Sequence, residues 1–309
     1  MNGGFNMLDL IIIGSGPAGL SAAIYGIRAN LDVLVIEKDY EGTGQIALSS
    51  KVDNYLGLPG LDGYSMGEKF REHAVSFGVN FLEATVTEIS QDEKDNHWIV
   101  KTASGEVKES KALIYATGAV HRHLGVPGEK TFDAKGVSYC ATCDGAFYRG
   151  KTTAVVGGGD TALDDALYLS GLCEKVYLIH RRDAFRAAEI TVNRVKEKEN
   201  IELVLNSQVE EILGDERVNA VRLVGGRTLD INGIFIAAGS VPVTGVLDGV
   251  VELNPAGYIV ADETGVTNKP GFFAAGDVRT KELRQVVTAV SDGANAATSA
   301  AHYIEKTFG

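Results

Sequence analysis

The sequence is short of cysteine, of positive charge and of long apolar runs, and each shortage excludes a class of protein. Three cysteines in 309 residues cannot form the disulfide framework of a small secreted scaffold, and their scarcity suits a reducing compartment. Lysine and arginine total 29 against 41 acidic residues, a formal net charge of −12. A protein that tracks phosphate backbones would work against that repulsive background, so nucleic acid is not an expected partner. The N-terminal stretch MNGGFNMLDLIIIG has no basic segment, and its apolar run meets a glycine after a few residues. That is too short for a signal peptide or a membrane span, so the expectation is a cytoplasmic protein with no membrane partner.

What is present is enough apolar sequence, 45% hydrophobic against 23% charged, to bury a full core in two domains of ordinary size. Residues 8–14 (LDLIIIG), 16–30 (GPAGLSAAIYGIRAN) and 32–38 (DVLVIEK) follow the order strand, glycine turn, helix, strand. The order returns at 152–159 (TTAVVGGG), 160–172 (DTALDDALYLSGL) and 175–182 (KVYLIHRR). The duplication extends to VTEI at 86–89 and ALIYATG at 112–118, matched by VEEI at 209–212, a Gly225-Gly226 hairpin and GIFIAAG at 233–239. A remaining tail, GFFAAGDV at 271–278 and an alanine-rich helical pattern from about 284 to 306, belongs to neither copy. The pattern predicts an α/β protein with two doubly wound, Rossmann-like nucleotide-binding domains. The tail completes the first of them, so the second is inserted into the first.

The two glycine fingerprints differ at an informative place. Gly14-x-Gly16-x-x-Gly19 lets the backbone approach a pyrophosphate at a helix N-terminus, and Glu37, 23 residues after Gly14, would accept hydrogen bonds from ribose hydroxyls. Its bland alternative is a solvated strand end. The second fingerprint is Gly157-x-Gly159-x-x-Ala162, and 23 residues after Gly157 stand His180, Arg181 and Arg182, with Arg186 beyond them. By itself HRRDAFR is an ordinary charge run; in register with Glu37 it becomes a cationic cluster where a carboxylate would repel a 2′-phosphate. The second site therefore reads as an NADPH site and the first as a site for FAD, since hydride needs an acceptor held by the same protein.

Cys140 and Cys143 stand two residues apart and can close a small disulfide, often with a lowered thiol pKa. Half of a zinc site is the alternative; the other donors are Cys173, His121 and His123, none at zinc-finger spacing. Location favours redox chemistry without a metal, because the pair lies inside the second nucleotide domain. Asp144 directly follows it and can carry the proton that thiol chemistry requires, or else merely cap the turn. Cys173, alone between a helix and a strand, reads as a small core residue.

Taken together, GSGPAG at 14–19, CATCDG at 140–145, GGGDTA at 157–162, HRRDAFRA at 180–187 and GDVRTKELRQVVTAVSDG at 276–293 resemble the bacterial low-molecular-weight thioredoxin reductases over essentially the whole chain. The resemblance implies a flavin domain built from residues 1–118 and 245–309 around an NADPH domain, residues 119–244, that carries the cysteines. It implies that Gly14, Ser15, Gly16, Pro17, Ala18, Glu37, Lys38, Gly44, Gln45, Asn54, Val86, Ala116, Thr117, Gly118, Gly276 and Asp277 line the FAD. Arg284, Gln285 and Val286 would reach its ring, where the positive end of a helix stabilises a reduced, anionic flavin. Gly157, Gly159, Asp160, Thr161 and Ala162 would line the NADPH with the arginines. It further implies that Cys143 faces the flavin, that Cys140 attacks the incoming disulfide, that oxidised thioredoxin is the substrate and that the enzyme is a homodimer. Another disulfide acceptor, or a flavin redox sensor that does not turn over, are the other readings. Because one flavin must meet both nicotinamide and disulfide, the domains are expected to swivel about Gly118 to His121 and Thr244-Gly245. Thr43 before Gly44, Val243 after Pro242 and Asp160 depart from the commoner family pattern.

Overall fold

The computed structural model describes residues 7–38, 44–49, 51–92 and 94–309. The chain divides into two compact units, one running to Val120 and resuming at Val241–Gly309, the other His121–Ser240. Short strands, Ala119–His121 and Ser240–Pro242, pair where the chain leaves the first unit and returns to it.

In the first unit the parallel strands lie in the order Asn80–Glu83, Val33–Glu37, Leu8–Ile13, Val107–Tyr115, with Phe272–Ala274 also parallel on the last. Two antiparallel strands, His97–Thr102 and Val86–Asp92, extend the sheet from the first half of Val107–Tyr115. The apolar run Leu10–Ile13, which is the buried part of the strand Leu8–Ile13, is what a strand covered on both faces requires. Its side chains alternate: Leu10 and Ile12 enter the core beneath the helices Pro17–Arg28 and Val286–Phe308, while Ile11 and Ile13 enter a second core with Leu247, Ile259 and Val278. The long C-terminal helix buries Ala289, Gly293, Ala296, Ala297, Ala300 and Ile304, a three-to-four spacing that presents small residues to the first helix. The tail thus supplies both a strand and a helix to the N-terminal unit, as its pattern predicted.

The inserted unit repeats the plan. Its parallel sheet runs Ile201–Val204, Lys175–Ile179, Thr152–Val156, Gly233–Ile236, Val137–Ser138. One difference between the copies is local. The single strand Val107–Tyr115 of the first unit corresponds to two strands here, Thr228–Asp230 in a separate three-stranded meander and Gly233–Ile236 in the main sheet. The helix Asp160–Ser170 packs Ala162, Leu163, Ala166 and Leu169 against Val155, Val176 and Leu178. The fold is thus α/β with two Rossmann-like units, the second inserted into the first.

Candidate functional site

The first glycine turn is set by close approach. Gly14 has φ +107°, and a Cβ there would lie 2.5 Å from the Ala116 carbonyl oxygen, so no other residue fits between the two strand ends. The helix that follows starts at Pro17, and its Gly16 N-cap offers no side chain to its amides. The amides of the first turn have no carbonyl within the helix to bind, which makes this end receptive to an anion. Glu37, at the end of the next strand, is buried, but its carboxylate is already held: Arg71 Nη1 and Nη2 donate to Oε2 and Oε1, both at 2.7 Å. The guanidinium also lies 4.2 Å from the centre of the Phe81 ring. Lys38 beside it is exposed.

At the other end of this unit's sequence, Asp277 follows Gly276 in a short turn after the strand Phe272–Ala274. Asp277 Oδ1 is buried with no hydrogen-bond partner among the described residues, and so is Arg284 Nε. Burial pushes the Asp277 carboxyl above the usual range, against the pull of Lys281 and Arg284. Gly276 itself is held by its amide, which donates to Asp292 Oδ2 at 2.9 Å. Asn54 donates from Nδ2 to Gln285 Oε1 at 2.8 Å, so two predicted residues 231 positions apart come together. Gln285 is the N-cap of Val286–Phe308 and forms a reciprocal capping box with Thr288. Gln45 opens a short helical turn after the exposed Gly44, and Val86 is half-buried. Thr117 Oγ1 and Tyr115 Oη both donate to the Val243 carbonyl; a backbone atom takes these bonds, so valine serves at that departure. Thr43, the other departure in this unit, lies outside the described residues.

In the second fingerprint the His180 side chain sits apart from the arginines. It is buried, its ring stacks on Phe185 at 5.3 Å, and its Nε2 lies 3.2 Å from the Ala184 carbonyl. A Cβ on Gly158 would sit 2.0 Å from the His180 ring, so the imidazole is a wedge against the glycine turn. Desolvation, with Arg182, Arg181 and Arg186 nearby, holds its pKa below the ordinary histidine value. Arg181, Arg182 and Arg186 are exposed, and the Arg186 amide donates to the Gly158 carbonyl at 2.7 Å. The cluster is therefore three arginines. Asp160, beside the exposed Thr161 and the buried Ala162, accepts from the Ala188 amide at 2.9 Å. Gly157 and Gly159 flank the wedge, and Gly159 caps the helix Asp160–Ser170 without a side chain.

Cys140 and Cys143 are joined in a disulfide, with Cα atoms 5.3 Å apart. Cys140 caps the four-residue helix Ala141–Asp144, its sulfur accepting from the Cys143 amide at 3.2 Å. Asp144 is mostly buried; desolvation pushes its carboxyl up, a hydrogen bond from Ser138 pulls it back, and the charge of Asp133 pushes it further up. On the other side of Cys140, Tyr139 Oη donates to Glu129 Oε1 at 2.9 Å. The Tyr139 ring stacks on His121 and meets His123 edge-on. Cys173 is free and buried, its thiol pushed up by burial.

Sequence reasoning missed Arg71, which meets Glu37 across 34 residues, and Ser138 and Glu129, whose partners are nearer in the chain but are brought together only by loop geometry. Arg71 carried one usable signal: it falls among Met66, Phe70 and Ala74 on the packed side of the helix Gly63–Ser76, and a buried arginine demands a carboxylate.

The pyridine nucleotide-disulphide oxidoreductase family profile matches residues 8–293. The thioredoxin reductase of Listeria innocua is 42% identical over 306 residues, spanning 96% of this chain and 94% of the relative. That of Peptoclostridium acidaminophilum is 43% identical over 317 residues, spanning 98% and 99%. Among solved structures, the thioredoxin reductase of Streptococcus pyogenes superposes with a TM-score of 0.92 at 40% identity, covering 98% of this chain and 99% of that one.

Proposed function

This chain belongs to the thioredoxin reductases of the pyridine nucleotide-disulphide oxidoreductase family, and from that premise we propose that it passes two electrons from NADPH, by way of FAD and the Cys140–Cys143 disulfide, to oxidised thioredoxin. The observation that carries the reading is the Cys140–Cys143 disulfide itself, closed in the same unit as the three-arginine cluster and followed at once by a half-buried carboxyl.

The first unit fits a flavin nucleotide. Asp277 Oδ1, buried and unpaired among the described residues, suits a ligand that brings hydroxyl donors, as ribose and ribityl chains do. The Gly14 turn leaves room for no side chain of its own, as close passage of a pyrophosphate requires. The residues that would hold it are Ser15 to Ala18 at the helix end, Glu37 and Lys38 at the strand end, Gly44, Gln45, Asn54, Val86 and Ala116 to Gly118 around the turn, and Gly276 with Asp277. Arg284 to Val286 would meet its ring. When bound, the flavin supplies a two-electron relay from nicotinamide to disulfide. Gly157, Gly159 and Asp160 to Ala162 would receive the NADPH backbone, and Arg181, Arg182 and Arg186 its 2′-phosphate.

The chain's own chemistry is thiol–disulfide exchange. Once the pair is reduced, the Cys140 thiolate attacks one sulfur of the substrate disulfide, forming a mixed disulfide and releasing the other sulfur as a thiolate that takes a proton. The Cys143 thiolate then attacks Cys140 sulfur, the mixed disulfide breaks, and the second substrate sulfur leaves. Enzyme dithiol has become disulfide and substrate disulfide has become dithiol, with Asp144 carrying the proton for a leaving sulfur. Among the described residues no helix is long and apolar enough to cross a membrane. The cytoplasm is the compartment that this thiol chemistry fits, and the family resemblance supports a homodimer.

Absorbance of the purified protein tests the route. A yellow protein should bleach on NADPH and recover its colour when oxidised thioredoxin is added. Bleaching without recovery would remove thioredoxin as the acceptor, and a colourless protein that takes up no FAD would remove the flavin.

A further inference from the structure

Three hydrogen bonds close a small ring around the redox pair without using either sulfur. The Ser138 hydroxyl donates to Asp144 Oδ2 at 2.6 Å and accepts from the Cys140 amide at 3.1 Å. The Asp144 amide in turn donates to the Cys140 carbonyl at 3.1 Å. Ser138 is buried at 5% exposure, at the end of the strand Val137–Ser138, which is parallel to Gly233–Ile236 in the main sheet. The sheet is therefore the anchor, and the Ser138 hydroxyl links it to both Asp144 and the Cys140 backbone, whose carbonyl it also approaches at 3.4 Å.

When the disulfide opens, the covalent tie between Cys140 and Cys143 is lost, and the carboxyl would be free to turn away were it held only through the pair. No sulfur is a member of the hydrogen-bonded ring, so opening the disulfide breaks none of its bonds directly. A hydroxyl is suited to the place, since it donates to a carboxylate and accepts from an amide at once. Alanine would remove both bonds.

From this geometry we infer that Ser138 is a positioning residue for disulfide exchange: its hydroxyl holds the Asp144 carboxyl against the Cys140 backbone through both the closed and the open states of the pair. The inference rests on the reading that Asp144 carries the proton. The charged group that bears on Asp144 is Asp133, which disfavours ionisation, and Asp144 in turn pushes the Tyr148 hydroxyl up. Ser138 is the hydrogen-bond donor that favours the ionised form.

The test compares the wild-type holoenzyme with Ser138→Ala, Ser138→Thr and Asp144→Asn. Isotope-edited infrared spectra follow the protonated carboxyl band as pH is varied, with Asp144→Asn as the blank. Loss of one hydrogen bond to the ionised carboxyl should raise the Asp144 midpoint in Ser138→Ala by about one pH unit. The pH profile of kcat with thioredoxin should move in the same direction, KM for NADPH should stay unchanged, and Ser138→Thr should restore both. Ser138→Gly removes the same hydroxyl and serves if the alanine variant does not yield holoenzyme. An unmoved carboxyl midpoint in the hydroxyl-free variants overturns the proposal, as does a midpoint that moves while the kcat profile stays in place. Full turnover by Asp144→Asn at every pH is a different failure: it removes the proton-carrying reading on which the proposal stands.

Discussion

Arg71 and Glu37 form a two-armed ion pair in the interior of the first unit, both side chains more than nine-tenths buried and both hydrogen bonds 2.7 Å long. The pair fixes the carboxylate in the plane of the guanidinium, while the lone pairs that face away from it stay available to a ribose. Removing one partner leaves a buried charge alone, which costs about 3–5 kcal/mol. Arg71→Ala should therefore lower Tm sharply and yield protein depleted of FAD. Arg71→Lys keeps the charge and loses the fork, so it should recover part of the stability and less of the flavin. Thermal unfolding and the ratio of flavin to protein absorbance check both; full flavin content in Arg71→Ala would show that Glu37 needs no such support.

Cys140→Ser and Cys143→Ser separate the two halves of the reaction. Each variant should abolish thioredoxin reduction and leave bleaching of the flavin by NADPH intact. Stopped-flow absorbance measures the second and a coupled thioredoxin assay the first. Persistent thioredoxin reduction in either variant would move the chemistry away from the pair.

The second nucleotide site divides into charge and support. Arg181→Ala with Arg182→Ala should raise KM for NADPH by at least about tenfold, the loss of roughly 1.4 kcal/mol or more, with little change for NADH. Gly158→Ala should weaken both nucleotides alike, because its new methyl group would collide with the His180 ring. Equal losses for NADPH and NADH in the arginine variant would defeat the 2′-phosphate assignment.

A pH effect follows from Asp165, in the helix Asp160–Ser170, where burial first and the neighbouring Asp164 second push the carboxyl up to about 7. Between the unfolded value of 3.8 and about 7 the folded chain holds this proton better than the unfolded one. The associated stability is complete below the unfolded value and is lost as pH rises through the folded one. Wild-type Tm should therefore fall between pH 5 and pH 8. Asp165→Asn should flatten that fall and gain roughly 1–3 kcal/mol at pH 8. Parallel Tm curves for the two proteins would refute it.

What was legible in the sequence was local. A strand, a glycine turn and a helix occupy consecutive residues, so both fingerprints, the CATCDG turn and the internal repeat could be read from spacing alone. The tail could also be assigned, because a strand and a helix with no partner in either copy must pack somewhere. The illegible part depended on distant contacts. Nothing near Glu37 signals that Arg71 grips its carboxylate, and nothing near Asn54 signals Gln285. His180 is illegible for the same reason: within HRRDAFR it looks like a fourth cation, and only the structure packs Phe185 and Gly158 around it as a buried wedge. Ser138 is an ordinary serine until Asp144 folds back onto it.

The interleaved chain also has a consequence for synthesis. The sheet of the first unit needs Phe272–Ala274, and its helical face needs Val286–Phe308. On a ribosome that emits the chain in order, the unit begun first must wait for Val286–Phe308. The inserted unit, with its whole sheet between Val137 and Ile236, is complete while more than sixty residues remain to be made. The nascent N-terminal segment, rich in apolar strands, therefore spends most of translation with a covering layer missing, and that interval is where a chaperone has most to hold.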